Sequence, residues 1–222
     1  MIGERVRRGV IFLRDRLHAK RERRILPDSE VDRILAEAEA VQPLRSQKNV
    51  LLHLLGDLDG ITDIPGDVLE IGSFKGKTTV FASHAIEALE LDKRLHTVDP
   101  YTNEASEVGC SDENIDSAYG TFHRATDDLD NHEHVRAYSD KALSRFEDTT
   151  FSLVFVDGDH TYDGVMADYR NYAPLLADGG IMVFDDYANP QWPGVGRAVK
   201  TIVDEGDLSV DRRMWKTIHL RN

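Results

Sequence analysis

Acidic side chains stand where short apolar runs end. Glu70 lies within Val68–Ile71, and Asp99 follows Leu95-His96-Thr97-Val98. Asp157, with Asp159 and His160, follows Phe151–Val156, and Asp185-Asp186 follow Ile181–Phe184. If these runs are parallel strands of one open sheet, their carboxyl ends border a single crevice, where ligands of such sheets bind. Carboxylates gathered there repel one another unless a cation is present. A hard divalent ion such as Mg²⁺, taking oxygen ligands and keeping some waters, is the natural neutraliser. Asp157 and Asp185-Asp186 converge if their strands are neighbours. His160 beside them can prop the site, ligate an ion or act as a general base near neutral pH. The competing reading is that the same acids cap the helices that follow.

A second group of residues could receive a cofactor. The stretch Asp67–Thr79 begins as a strand, breaks at Gly72, and passes Ser73 and Gly76 into a helical pattern through Val80, Phe81 and Ala85. A strand, a glycine-containing turn and a helix N-terminus present outward backbone N–H groups to a polar or anionic group. Gly72 permits close approach to a ligand and Gly76 a tight helix entry. The spacing is Glu-x-Gly-x-x-x-Gly, which differs from the Gly-x-Gly-x-x-Gly of dinucleotide binders. An ionised Glu70 here would repel a pyrophosphate and suit a sulfonium or ammonium group. Asp99, 27 residues after Gly72, is of the right type to accept both hydroxyls of a ribose diol.

The elements that position these residues alternate along the chain. Helical patterns are expected from Asp28, Gln47, Gly76, Ile115, Ser139, Thr161 and Gly194, and strands at Val68–Ile71, Leu95–Asp99, Val135–Tyr138, Phe151–Val156 and Ile181–Phe184. Gly179-Gly180 is expected to end the helix before the fifth strand. Ser209–Asp211 and Trp215–Leu220 read as a closing hairpin that turns at Arg212-Arg213. The pattern implies an α/β fold with a doubly wound, Rossmann-like, seven-stranded sheet. It is mostly parallel, with an antiparallel C-terminal hairpin and helices on both faces. Residues 1–46 are expected to form a helical extension, basic and then acidic, and residues 47–222 the ligand-binding domain. The polar connection Tyr101–Asn114 is long enough to be a lid or substrate loop; with Trp192 and Tyr187 it could wall an acceptor.

The 222 residues carry a net charge of −13, with 41% hydrophobic residues, enough for a real core. A chain this acidic is a poor nucleic-acid binder. Residues 1–26 are the exception, with nine basic and three acidic side chains. Val6, Val10, Leu13 and Leu17 give them an amphipathic helical pattern. Such a helix can touch an anionic membrane surface, or dock on the acidic body of its own chain or of a second subunit, and a homo-oligomer is expected. No run of 18 apolar residues and no secretory signal is present. The single cysteine, Cys110, fits a reducing cytoplasm.

Over residues 47–220 the chain resembles the class I S-adenosylmethionine-dependent methyltransferases. The carriers are Val68-Leu69-Glu70-Ile71-Gly72-Ser73-x-x-Gly76, Asp99, Gly179-Gly180 and the closing hairpin. Val156-Asp157-Gly158-Asp159-His160-x-Tyr162, taken with Asp185-Asp186, is similar to the metal-dependent O-methyltransferases of macrolide and aminocoumarin sugars and to cephalosporin-hydroxylase-like proteins. The resemblance implies that Gly72, Ser73 and Gly76 line the methionine part of S-adenosylmethionine, with Glu70 nearby. Asp99 would hold the ribose, and Ser139 and Asp140 would border the adenine. Asp157, Asp185 and Asp186 match the ligands of Mg²⁺ or a similar cation, Asp157 also bordering the cofactor. Asp159 and His160 both match general-base positions, and His160 is preferred because Asp159 lies among other charges. The acceptor would be a hydroxyl on a small molecule or sugar. Three rival readings remain: an NAD-type oxidoreductase, which lacks its third loop glycine here; a cofactor-binding module without activity; and a hydroxylase-like role, whose iron would ask for two histidines where the acidic rim offers one.

Overall fold

The computed structural model describes residues 26–102 and 115–222. The expected basic helix and most of the Tyr101–Asn114 connection, Cys110 included, lie outside the described residues. The chain enters through α1 (Asp28–Val41) and α2 (Lys48–Gly60), then forms β1 (Asp67–Ile71), α3 (Lys77–Ala88) and β2 (Leu95–Val98). After α4 (Ile115–Thr126) come β3 (His132–Val135), the short α5 (Ser139–Ala142), β4 (Phe151–Val156) and α6 (Tyr162–Tyr172). The fold closes with β5 (Leu176–Phe184), α7 (Pro193–Glu205), β6 (Ser209–Met214) and β7 (Thr217–Arg221). All seven strands join one sheet in the order β3-β2-β1-β4-β5-β7-β6. The pairs from β3 to β5 are parallel, and β7 runs antiparallel to both β5 and β6.

Successive residues of a strand face opposite sides of the sheet, and each side is apolar. Val68, Leu153, Phe155, Ile181 and Val183 pack under α1, α2 and α3. Leu69, Ile71, Val154, Val156, Met182 and Phe184 pack under α5, α6 and α7. Each fully buried Leu, Ile or Phe contributes about 1.5–3 kcal/mol. The two apolar layers therefore hold the strand ends in place, whatever the polar groups at those ends do. The doubly wound architecture read from the sequence is the one observed. Among the described residues no helix is long and apolar enough to cross a membrane.

Three boundaries differ from expectation. Strand β3 is His132–Val135 and stops where the expected strand begins. Its histidines look polar in sequence, yet His132 pairs with Thr97 Oγ1 at 2.9 Å and His134 packs 4.7 Å from the Phe122 ring. Gly179-Gly180 lie inside β5, where they exchange backbone hydrogen bonds with Asn222, and are not a helix stop. Helix α6 ends earlier, where Pro174 tightens the chain into a 3₁₀ turn, Ala173–Leu175. The closing hairpin turns at Trp215-Lys216, because Arg212 and Arg213 stay in β6 and pair with His219 and Ile218. Arg212 is held there by an ion pair with the buried Asp57 of α2.

Candidate active site

The turn after β1 is built around Asp99. One carboxylate oxygen, Oδ2, accepts the backbone N–H groups of Ser73 and Phe74, both at 3.0 Å; Oδ1 accepts that of Tyr101 at 3.0 Å. Burial raises the Asp99 pKa, and these three N–H donors oppose the shift. Tyr101 extends the brace: its hydroxyl donates to the Phe74 carbonyl at 2.6 Å. Its single proton is thereby used, so the Ser73 hydroxyl, 3.0 Å away, donates to the Tyr101 oxygen. Asp99 thus shapes the glycine turn itself; both lone pairs of Oδ2 are engaged by N–H groups, and Oδ1 keeps one for a ligand hydroxyl.

Gly72 has φ +86°, and a Cβ placed there would lie 2.2 Å from the Asp157 carbonyl oxygen. The ends of β1 and β4 therefore touch, which brings the cofactor-type turn against the acidic cluster. Gly76, at φ +87°, starts α3 facing Phe122 of α4. Glu70 points to the α3 side, is 3% exposed, and accepts the Thr79 hydroxyl at 2.5 Å. Burial drives its pKa up to about 8, with Asp157 and Asp99 adding to the rise and the Thr79 bond opposing it. The expectation of an ionised Glu70 is therefore corrected. At neutral pH the carboxyl keeps its proton, because it is 3% exposed and the strand interior offers it one hydrogen bond.

Ser139 and Asp140 sit at the start of α5. Ser139 donates to Asp168 Oδ1 at 2.5 Å, and Tyr172 donates to the Ser139 carbonyl at 2.7 Å. Burial lifts Asp168 to about 7, with the Ser139 bond opposing the rise and the charges of Asp159 and Asp140 adding to it. A Cβ on Gly158 would lie 3.8 Å from Asp168 Oδ2, so this α6 carboxyl links the Ser139 corner to the turn after β4. Asp140 is exposed and paired with Lys141 at 3.0 Å.

The acids after β4 and β5 converge. One ligand atom from each of Asp157, His160 and Asp186 lies within 4.8 Å of the other two. His160 Nε2 is 3.5 Å from both Asp157 Oδ1 and Asp186 Oδ2, an ion-pair distance longer than a hydrogen bond. The ring stacks on Trp192 with centroids 4.9 Å apart. Burial alone would lower the His160 pKa, but the carboxylates of Asp157, Asp186 and Asp185 outweigh it and the value rises. Asp185 is 3% exposed and its Oδ1 has no hydrogen-bond partner. Burial pushes its pKa up, Asp157 adding to the rise and Lys216 opposing it. Asp159 turns the other way, accepting the Thr161 N–H at 2.7 Å against the first turn of α6. Buried carboxylate oxygens and imidazole nitrogens without hydrogen bonds, spaced within one ion's reach, fit a divalent cation.

Two lysines belong to this crevice and were not singled out from sequence. Lys216 Nζ sits 2.7 Å from Asp186 Oδ1 and 3.4 Å from Asp185 Oδ2. Lys77, in the first turn of α3, is buried, and burial lowers its pKa while Asp157 and Asp185 counter that. Lys77 carries a signal, a charge directly after the helix-entry glycine. Lys216 carries none, being one of two residues in a tight turn. Tyr187 has the Arg213 guanidinium 5.4 Å from its ring centroid.

The family described as a methyltransferase domain matches residues 69–187. Among curated proteins, an uncharacterized protein of Acanthamoeba polyphaga mimivirus is 40% identical over 78 residues, covering 33% of this chain and 35% of that protein. Among solved structures, the O-methyltransferase NovP superposes with a TM-score of 0.63 at 16% identity, covering 79% of this chain and 80% of its own. CalS11, a TDP-rhamnose 3'-O-methyltransferase of calicheamicin biosynthesis, gives 0.61 at 19% identity, covering 87% and 93%. The Podospora anserina methyltransferase PaMTH1 gives 0.64 at 14% identity, covering 95% and 94%. At these identities the structural likeness concerns the fold.

Proposed function

This chain belongs to the methyltransferase-domain family, and we propose that it moves a methyl group from S-adenosylmethionine to a hydroxyl oxygen of a small molecule or sugar, assisted by a divalent cation. The observation that carries the proposal is the contact of two half-sites. The Gly72 turn, braced by Asp99, abuts Asp157, whose carboxylate faces His160 and Asp186. Structures of the same fold include a TDP-rhamnose 3'-O-methyltransferase, a methyltransferase captured with S-adenosylhomocysteine and an O-methyltransferase captured with S-adenosylmethionine, which supports the cofactor class.

In this reading Gly72, Ser73 and Gly76 receive the methionine part, Asp99 the ribose, and Ser139 with Asp140 the adenine edge. Glu70, protonated at rest, can give up its proton to meet a cationic group. Asp157, Asp185 and Asp186 would hold the metal, which would lower the pKa of a hydroxyl placed on it. His160 Nε2 takes the hydroxyl proton, and the two carboxylates at 3.5 Å stabilise the imidazolium that results. Trp192 fixes the ring plane. The acceptor oxygen bonds to the methyl carbon as the carbon–sulfur bond breaks in line, leaving a methyl ether and S-adenosylhomocysteine. Positioning supplies most of the rate. Asp159, engaged with the α6 backbone, shapes the turn that carries His160.

The test is a calorimetric titration of the full chain with S-adenosylhomocysteine, with and without Mg²⁺, using NAD⁺ as control. Micromolar binding of the nucleoside and none of NAD⁺ is expected. Silence from the nucleoside, or binding of NAD⁺ alone, overturns the proposal.

A further inference from the structure

Lys216 arrives at the acidic crevice from the far edge of the sheet, and its backbone is fastened there. The Tyr187 N–H donates to the Lys216 carbonyl at 2.7 Å, which ties the β6–β7 turn to the segment after β5. Both sides of this junction hold left-handed backbone, Asp186 at φ +53° and Trp215 at φ +36°. A non-glycine residue keeps such a conformation only where its surroundings enforce it. The Lys216 side chain is 17% exposed, so it is a placed group and not a solvated surface lysine.

The two oxygens of Asp186 are divided. Oδ2 faces His160 at 3.5 Å, and Oδ1 faces the Lys216 ammonium at 2.7 Å. The same ammonium reaches Asp185 Oδ2 at 3.4 Å, while the buried Asp185 Oδ1 is left without a partner. A cation held by Asp157, Asp185 and Asp186 must share Asp185 and Asp186 with this ammonium. A divalent ion and an ammonium a few ångströms apart in a part-buried crevice repel strongly. Lysine, a compact point charge on a flexible stem, can swing away where a rigid group cannot.

We propose that Lys216 is the resident counter-ion of the acidic crevice, and that a divalent ion binds there in exchange for its ammonium. The proposal rests on the metal-assisted reading above and adds a device to it. Metal affinity is held down by the chain itself, and metal entry is coupled to the β6–β7 turn. The turn carries exposed Trp215 beside Lys216, so the exchange also changes the rim of the crevice.

The experiment is a Mn²⁺ titration of the full chain, read from the electron paramagnetic resonance signal of free Mn²⁺, on wild type, Lys216→Met and Lys216→Arg. Lys216→Met keeps the apolar stem and removes the charge, and it is expected to bind Mn²⁺ at least about tenfold more tightly than wild type. Lys216→Arg keeps the charge and is expected to stay within about threefold of wild type. Equal affinity in wild type and Lys216→Met, or weaker binding by Lys216→Met, overturns the exchange while leaving the metal reading intact. No Mn²⁺ bound by any of the chains overturns both, and S-adenosylhomocysteine binding then stands or falls separately. If Lys216→Met does not fold by circular dichroism, wild type decides alone. Saturating Mn²⁺ should speed acylation of Lys216 by an amine-reactive ester, read by mass spectrometry; an unchanged or slower rate overturns the exchange.

Discussion

Replacing Glu70 by Gln should make the protein more resistant to alkaline conditions, by an amount that grows with pH. The folded carboxyl titrates at about 8 and the ordinary value is 4.5, so its folded pKa is raised. Below pH 4.5 both folded and unfolded chains hold the proton and the raised pKa has no cost. Between 4.5 and 8 the unfolded chain has released the proton and the folded chain has not. Wild type therefore loses about 1.4 kcal/mol of stability per pH unit across that window relative to a side chain that does not titrate. Above pH 8 the folded carboxyl ionises and the loss levels off, with a ceiling of about 5 kcal/mol. Gln keeps an oxygen for the Thr79 hydroxyl and never titrates. Asp168 and Asp185, also pushed up by burial, remain in both proteins and largely cancel in the comparison. The assay is urea unfolding of wild type and Glu70→Gln at pH 4.5, 6, 7 and 8.5, followed by circular dichroism. The gap in unfolding free energy should be near zero at the acid end and exceed about 2 kcal/mol at pH 8.5. A gap that stays flat across the series would refute the reasoning, because Glu70 would then titrate in the fold as it does in the open chain.

Gly72→Ala should lower stability by about 2–4 kcal/mol and weaken nucleoside binding, since left-handed backbone and a Cβ 2.2 Å from the Asp157 carbonyl oxygen force β1 and β4 apart. Unfolding curves and calorimetry would read the two effects; an alanine variant with wild-type binding would remove Gly72 from the site. Asp57→Ala should cost about 3 kcal/mol, because the carboxyl, 0% exposed, pairs with Arg212 and lies 2.7 Å from His219 Nδ1. The loss would appear as a lower urea midpoint, and an unchanged midpoint would show that β6 and β7 do not depend on α2 for their seating.

The Asp57 contact also explains why the edges of the sheet are less legible than its centre. Parallel strands β1, β4 and β5 are buried on both faces, and continuous apolar runs betray them. At the edges the signals are polar. His132 and His134 are strand residues because Thr97 and Phe122 receive them, and Arg212 is a strand residue because Asp57 receives it. Those partners lie far away in sequence, so local pattern placed β3 three residues late and moved the hairpin turn off Trp215-Lys216.

By itself the sequence determined the alternation of strands and helices, the doubly wound sheet, the glycine turn after β1, and the acids at the ends of β1, β2, β4 and β5. These follow from local rules: apolar periodicity, glycine where φ is positive, and polar residues where a strand leaves the core. Tertiary structure alone decided how the charges are shared. It turned Asp99 into a brace for its own cofactor turn, gave Glu70 a proton, aimed Asp159 at a helix backbone and His160 at the carboxylates, and set Lys216 against Asp186. Each of these depends on the distance between groups remote in the chain and on the water left between them. Burial and Coulomb interaction are properties of that arrangement, and no window of neighbouring residues contains them.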